Sequence, residues 1–382
     1  MHSGQTRDQS NQTLPGDPDS YLGIIVRAAE KPQKTPGPLF ALLLLGLAFL
    51  PSGGDLQMAL ALWFFFLFDW AFLAFLPHLK RSFGPPKSAA LLLAILRLPW
   101  ALLASPWGLL LQILGTGLII YGFGIEPLRL QVSHQQLVTR KFPAGSTLRL
   151  LHIGDLHMER IRPLERVLII KVRELRQDII VFSGDIQGYS TTYHPGSQAQ
   201  AKEILAGLTA PLGFYIVAGT PLVDPPEVVS QIVEGLPIHW LQDENASFDL
   251  DRLSFDLIGL SCTHDPKRDG EKLRSVLKEN PERFTILLYH TPDLAPQASD
   301  AGIDLQLSGH THGGQVRLPI YGALITSSIY GKRFESGRYQ VADLALYVTR
   351  GIGLEGKGAP RVRILCHPEI TLWDISGPPG KD

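Results

Sequence analysis

The sequence predicts an α/β domain of stacked sheets with helices outside, preceded by an all-α apolar region of three or four helices. Three observations carry this. Charged residues make up 19% of the 382 residues, against about 25% in ordinary soluble domains. The deficit is local: from Gly37 to Ile125 the only charges are Asp55, Asp69, Lys80, Arg81, Lys87 and Arg97. Beyond that stretch, short β-branched segments alternate with helical patterns, the signature of sheets covered by helices. A net charge of −1 argues against a generally basic nucleic-acid binder, and two cysteines exclude a disulfide scaffold or a cysteine-rich zinc module. The 37 glycines and 29 prolines have no short period, which excludes collagen-like and low-complexity classes.

Residues 1–36 are polar and cannot bury a core, so they read as a tail. The first apolar run starts too far in for a signal peptide, and no small-residue cleavage site follows it. Residues 37–126 read as transmembrane helices. The apolar runs are Pro38–Leu50, Met58–Leu76, Ser88–Ala104 and Trp107–Gly124. A helix crossing the bilayer needs about 20 residues; the second and fourth runs approach this, the first is short, and Arg97 and Pro99 break the third. Asp69 and Arg97 lie inside runs, where charges often mark function; a mutual pair or an edge-lying position explains them equally well. Trp63, Trp70, Trp100 and Trp107 fit interfacial or lipid contact. With four spans, every basic segment falls on one side: Arg27, Lys31 and Lys34 in the tail, Lys80, Arg81 and Lys87 after the second run, and Arg129, Arg140 and Lys141 after the last. The positive-inside rule then puts the tail and the following domain in the cytoplasm, integral to the cell membrane.

Residues 127–382 read as the second domain. Strands are expected at Leu148–Ile153, Ile179–Phe182, Phe214–Val217, Phe255–Leu260, Thr285–Leu288, Asp304–Leu307, Leu344–Thr349 and Val362–Leu365. Helices are expected at Pro163–Leu175, Ala199–Leu208 and Glu227–Glu234. Four strand ends carry metal-type ligands: Asp155 and His157, then Asp185, then His290, then His310 and His312. In an extended chain residues two apart point the same way, so Asp155 with His157, and His310 with His312, are expected to share a face. A carboxylate and imidazole mixture suits Mn, Fe or Zn rather than Ca.

The run Asp155-x-His157, Gly184-Asp185, His290 and Gly309-His310-Thr311-His312 resembles the calcineurin-like metallophosphoesterase superfamily. Within it, the chain is similar to the membrane-anchored branch that includes bacterial UDP-2,3-diacylglucosamine pyrophosphatases, whose last block reads as Gly309–Gln315 does here. The resemblance covers roughly Thr147 to the C-terminus. It implies a two-sheet αββα sandwich with two divalent metal ions at one end. It assigns Asp155, His157 and His312 to the first ion, His290 and His310 to the second, and Asp185 to both. Two such ions lower the pKa of a shared water and clamp phosphate oxygens during in-line attack; the histidines must be neutral to bind.

One block departs from the family. Where the family has Gly-Asn-His-Asp, this chain has Gly219-Thr220-Pro221-Leu222-Val223-Asp224. Thr220 offers a poorer oxygen ligand to the second metal, and Pro221 can do no acid–base work. His264 or Asp224 could compensate; a surface loop residue and a helix N-cap are the plainer readings of the two. Loss of the general acid matters least when the leaving group is a weak base, which favours a pyrophosphate bond. The segment Gly351-Ile352-Gly353-Leu354-Glu355-Gly356 does not open a βαβ helix and is read as a loop near the metals, with Arg350 or Lys357 reaching a phosphate. Ser308 and Ser327 lack a relay for nucleophilic catalysis, and Cys262 and Cys366 read as buried thiols. The resulting expectation is a membrane-bound metal-dependent phosphohydrolase acting on a phosphorylated or nucleotide-linked lipid, with no nucleic-acid partner. The alternative is a degenerate one-metal domain serving as a membrane-tethered binding or sensing module. A transporter role for the helices ranks third.

Overall fold

The computed structural model describes residues 31–103, 106–251, 253–278, 280–354 and 358–380; most of the expected N-terminal tail, Ala104 and Lys357 lie outside these. Four helices come first: α1 (Gly37–Phe49), α2 (Leu56–Phe75), α3 (Pro86–Arg97) and α4 (Trp107–Ile119). The Asp55 carboxylate caps α2 by accepting from the Gln57 and Met58 amides. Pro99, unable to continue an α-helix, follows the end of α3, and the chain tightens into a 3-10 turn over Leu98–Leu102. The fourth helix runs on through a π-helical segment, Ile120–Ile125, and a short 3-10 turn, Glu126–Leu128. Two helical stretches, Leu56–Phe75 and Trp107–Leu128, are long and apolar enough to cross a membrane; α1 is shorter.

The helices pack up and down. Trp63 Nε1 donates to the Ala41 carbonyl (2.9 Å) and the Phe40 and Trp70 rings meet edge-on, so α1 and α2 are antiparallel. Asp69 meets Thr116, and Phe72 lies against Gly124, so α2 and α4 run the same way. Arg97 meets Thr116 and Pro85 and Ala89 lie beside Phe123, which sets α3 against both. Residues 31–36, 77–87 and 124–128 therefore share one end of the bundle. Inside, Arg97 Nη1 lies 3.1 Å from Asp69 Oδ2; Arg97 Nη2 donates to Thr116 Oγ1 (2.7 Å), whose hydroxyl donates to Asp69 Oδ1 (3.1 Å). Of the readings open to these charges, the mutual pair is what the structure contains. The outer faces are apolar too, with Leu42, Phe64, Leu92 and Leu114 exposed.

Two six-stranded sheets follow. The first has the order β1 (Gln131–Val138), β14 (Glu369–Ser376), β2 (Thr147–Ile153), β3 (Ile179–Phe182), β4 (Phe214–Ile216), β5 (Ile238–Trp240), with β2 to β5 parallel. The second has β12 (Gly337–Val341), β13 (Leu344–Val348), β9 (Leu305–Ser308), β8 (Phe284–Leu288), β7 (Leu253–Gly259), β6 (Glu244–Leu250), with β7, β8, β9 and β13 parallel and the outer two antiparallel. Leu150, Val181, Phe255, Ile286, Leu305 and Trp373 fill the space between the sheets. Helices α5 (Pro163–Leu175), α6 (Pro195–Ala206) and α7 (Pro226–Val233) cover the first sheet; α8 (Pro266–Val276) and α9 (Ala295–Asp300) cover the second. This mixed α/β arrangement of two multi-strand sheets fits a metallophosphoesterase fold.

The expected strands fall within a residue or two of the observed ones, with one exception. Val362–Leu365 forms no strand, only an isolated bridge from Ile364 to Val316. Its backbone is divided between two neighbours: the Arg363 amide donates to the Gly122 carbonyl of the bundle, and the Ile364 amide to Gln315. Together with the Glu126 carboxylate, which accepts from the Leu365 and Cys366 amides, this segment straps the bundle to the sandwich.

Candidate metal centre

The ligand-type side chains sit just past the C-terminal ends of parallel strands β2, β3, β8 and β9, where α/β folds gather their sites. The chain is not extended where it carries them. Asp155 (φ +49°), His157 (+43°), Asp185 (+58°), His310 (+71°) and His312 (+50°) all adopt left-handed backbone, which costs an L-residue about 1 kcal/mol or more. The loops hold one another there: the Asp155 amide donates to Gly184 O (2.9 Å), His157 to Asp185 O (3.1 Å) and Gly309 to His290 O (2.8 Å). Gly219 and Gly309 are needed for close approach, since a Cβ on Gly219 would strike the Asp185 carboxylate and one on Gly309 would lie 2.5 Å from Asp155 Oδ2. His310 and His312 do not share a face but turn to different neighbours.

Two buried triads result, Asp155–His157–His312 and Asp185–His290–His310, each with its donor atoms within 4.8 Å of one another. Asp185 Oδ2 lies 3.3 Å from His290 Nε2 and 3.5 Å from His157 Nε2, so its carboxylate stands between the two groups. His157 Nε2 and His312 Nε2 are 2.9 Å apart. His290 Nδ1 donates to the Ser183 carbonyl (2.8 Å), turning Nε2 toward the site. Asp155 Oδ1 accepts from the His310 amide (2.9 Å) and Asp185 Oδ1 from the Thr220 amide (2.7 Å).

These groups fit divalent cations. Among the described residues Asp155 Oδ2, His310 Nε2 and His312 Nδ1 are buried with no hydrogen-bond partner, and a buried polar group without one is costly. Burial, and then the neighbouring imidazoles, hold His310 and His312 well below the ordinary histidine range, so both are neutral with lone pairs to give. Burial pushes Asp155 up to about 6, against the pull of His290. Burial opposes the charge on Asp185 as well, but His290 and His157 outweigh it and keep that carboxyl well below the usual range. Burial likewise opposes charge on His290, and the Asp185 carboxylate overrides it, raising His290 to about 9.

The remaining expected residues divide. Thr220 borders the second triad, its Oγ1 3.3 Å from His290 Nε2, while Pro221 is exposed. His264 is not a plain surface residue: its ring centroid lies 5.0 Å from that of His310, and its buried Nε2 has no hydrogen-bond partner among the described residues. Burial lowers it to about 4, so near neutrality it offers an N–H or a lone pair rather than a labile proton. Asp224 is no N-cap. Its carboxylate accepts from the Ile186, Gln187 and Gly219 amides and so fixes the loops around Asp185. Arg350 is held by Glu369 (Nη2–Oε1 3.0 Å) instead of reaching toward phosphate, although Gly351 of the same loop packs on Asp155. Cys262 and Cys366 are free and buried. Arg363 has no sequence signal of a site role. Its buried guanidinium donates to the Arg350, Gly351 and Gly353 carbonyls and holds that loop against the metal groups.

No protein-family model matches the chain. Curated proteins do. The chain is 29% identical over 276 residues to the uncharacterised metallophosphoesterase YkuE of Bacillus subtilis, covering 67% of this chain and 89% of that protein. It is 24% identical to the phosphodiesterase YaeI of Escherichia coli, over 60% and 83% of the two chains. It is 25% identical to the UDP-2,3-diacylglucosamine pyrophosphatase LpxG of Chlamydia trachomatis, over 65% and 90%. The resemblance carried by the ligand blocks is thus a similarity to metallophosphoesterases across about two thirds of the chain.

Proposed function

We propose that this protein is a membrane-embedded, metal-dependent phosphohydrolase that cleaves a phosphoester or pyrophosphate bond in a lipid-linked substrate. The single observation that carries the reading is the pair of buried triads with the Asp185 carboxylate between them. In this reading Asp155, His157 and His312 hold one divalent ion, His290 and His310 the other, Asp185 contacts both, and Thr220 borders the second. Bound there, two ions supply Lewis acidity toward phosphate oxygens and activate water near neutral pH.

The chain's own groups do the rest. The Ser183 carbonyl and the Asp224 carboxylate fix His290 and the Asp185 loop in place. His264, whose ring lies 5.0 Å from that of His310, is assigned to the leaving-group side of the second triad. Water oxygen bonds to phosphorus as the bond to the leaving oxygen breaks. With Pro221 in place of an acid, a leaving group that departs without a proton is favoured. That is the character of a nucleotide phosphate, in keeping with a substrate such as a nucleotide-linked glycolipid. The bundle's apolar outer faces support embedding in a membrane. Because α2 and α4 run the same way, the chain must return between them, which supports α3, and by continuity α1, crossing as well. The basic segments 77–87 and 124–141 then lie on the side of the sandwich, and the positive-inside rule places that side in the cytoplasm.

The test is a screen of lipid-linked pyrophosphates and diesters with the detergent-solubilised protein in added Mn or Zn, beside Asp185→Asn. Turnover by the parent, lost in the variant, with two ions bound per chain, supports the enzyme. One ion and no turnover on any phosphate ester replaces it with a one-metal binding module, the reading that the Thr220-Pro221 exchange would favour.

A further inference from the structure

An apolar cavity of about 670 Å³ lies between the bundle and the metal centre. That is within the roughly 300–1,000 Å³ of ordinary ligand pockets. One wall is α3, α4 and the π-helical segment after it, through Leu96, Leu118 and Phe123; the other is Val316, Ile325 and Val362 of the sandwich. Its inner end is formed by Thr311 and His312, and His312 belongs to the first triad. Leu96 and Leu118 are half exposed on a bundle face that carries no polar cover, and Ile325 is 78% exposed at the rim. The hairpin leading to that rim exposes Leu318, Ile320 and Tyr321 as well.

We propose that the apolar cavity is the alkyl-chain subsite: it takes one hydrocarbon chain of the lipid substrate while the phosphate sits at the metals. The inference deepens the hydrolase reading and rests on it for the position of the phosphate. Its support is continuity. A chain entering sideways from the apolar bundle surface stays out of water along its whole path, and the path ends at a metal ligand. An alkyl chain is matched by this apolar wall, whereas a water-soluble nucleotide would leave it unused. A long apolar patch that stays uncovered is uncommon on a protein surface and marks a binding groove.

The experiment compares p-nitrophenyl hexadecyl phosphate with p-nitrophenyl butyl phosphate, which release the same p-nitrophenolate and differ only in the chain. The parent should prefer the hexadecyl ester in kcat/KM. Leu118→Trp, which fills the cavity from the helix side, and Ile325→Asp, which places a charge at the rim without touching packed core, should each reduce that preference about tenfold. A preference unchanged in both variants overturns the proposal. A second arm needs no turnover. A hexadecyl phosphate bearing a terminal diazirine should label peptides containing Val316 and Ile325, and excess unlabelled hexadecyl phosphate should suppress it. Label confined to Leu42, Phe64 and other outer bundle positions overturns the subsite, as does protection of the cavity that tracks protein concentration, which would assign it to a second copy of the chain. If neither ester is cleaved yet the cavity is labelled, the subsite stands, and the hydrolase reading falls only if the lipid-linked pyrophosphates are not cleaved either.

Discussion

The helical bundle and the sandwich both bury charged or titratable side chains, and they treat them in opposite ways. In the bundle Asp69 and Arg97 are each 2% exposed and close on each other, with the Thr116 hydroxyl completing a ring. In the sandwich Asp155, His310 and His312 are about as buried, and in both regions some buried atoms lack a hydrogen bond; but the unbonded Asp69 Oδ2 and Arg97 Nη1 face each other as opposite charges 3.1 Å apart, whereas those of Asp155, His310 and His312 face no opposite charge of that kind and their residues gather at one edge. Burial by itself therefore does not mark a site. A closed set of charges is structure; a convergent set with unmet lone pairs is a place for a ligand. The backbone repeats the distinction. Asp69 and Arg97 sit in ordinary helix, whereas five of the six expected Asp and His ligands occupy left-handed backbone that neighbouring loops hold in place.

The largest expected effect tests the open set. Asp185→Asn keeps the shape but removes the charge between the triads. Activity on any cleaved phosphate ester should fall by more than about a hundredfold, beyond the ten- to hundredfold that supporting groups around a metal command. Bound metal, measured by elemental analysis, should drop below one ion per chain. Retention of two ions with full activity would break the comparison at its centre. The closed set gives the next effect. Arg97→Met leaves the Asp69 carboxylate buried and unmatched, and should destabilise the bundle by about 3–5 kcal/mol. Adding Asp69→Leu should recover most of that loss, since a buried pair replaced by apolar groups is often neutral. Thermal unfolding in detergent reads both. If the double variant lost activity while regaining stability, the pair would serve function after all, and the contrast between the two regions would need redrawing.

Much of this was legible in the sequence, for reasons that differ by element. The four helices follow from apolar runs, of which only the third is broken, by Arg97 and Pro99, and the strands β2, β3, β4, β8 and β9 from short β-branched runs ending at ligand blocks. Those blocks were readable because the chemistry needs particular residue types next to strand ends. What local pattern could not give was pairing. Strand β14 enters the middle of the first sheet from the far end of the chain, and β1 pairs with it, so neither is announced by its neighbours in sequence. Val362–Leu365 looks like a strand because it is apolar, but it is apolar to pack on the bundle at Gly122. Side-chain direction was also hidden. His310 and His312 part because both are left-handed, a backbone state that no residue type at those positions advertises. Asp224 likewise reads as a cap until its three amide donors are seen.

A smaller effect separates buried groups that belong to the open set from those that merely lie near it. His152 is fully buried beside Ser183 Oγ (3.0 Å), and burial holds its imidazole down to about 3, against a mild upward pull from Glu369. The native state thus binds fewer protons than the unfolded chain between the ordinary value of 6.5 and that lowered one. Stability attributable to His152 is complete above pH 6.5 and is lost as pH falls, by about 3 kcal/mol on reaching about pH 4. His152→Asn should be less stable than the parent at neutral pH but lose less over that interval, with metal content unchanged. An acid slope identical in the two proteins would assign acid sensitivity to the triads alone.

The least effect concerns the incomplete part of the open set. Thr220 places a hydroxyl 3.3 Å from His290 Nε2 and gives its amide to Asp185, so its side chain already borders the second triad. A carboxamide there brings a stronger oxygen donor one bond farther out, without altering charge. Thr220→Asn should therefore tighten the second ion about tenfold, within the range seen when groups around a metal are changed, and leave the first ion's affinity as it is. Two-phase metal titration resolves the steps. If the gain in affinity came with slower cleavage of esters whose leaving group is a strong base, the threonine would be tuned for weakly basic leaving groups, and the departure at residues 219–224 would be specialisation. If instead both ions bound more weakly, Thr220 would owe its position to the Asp185 loop, and the second triad would have to find its missing ligand in His264.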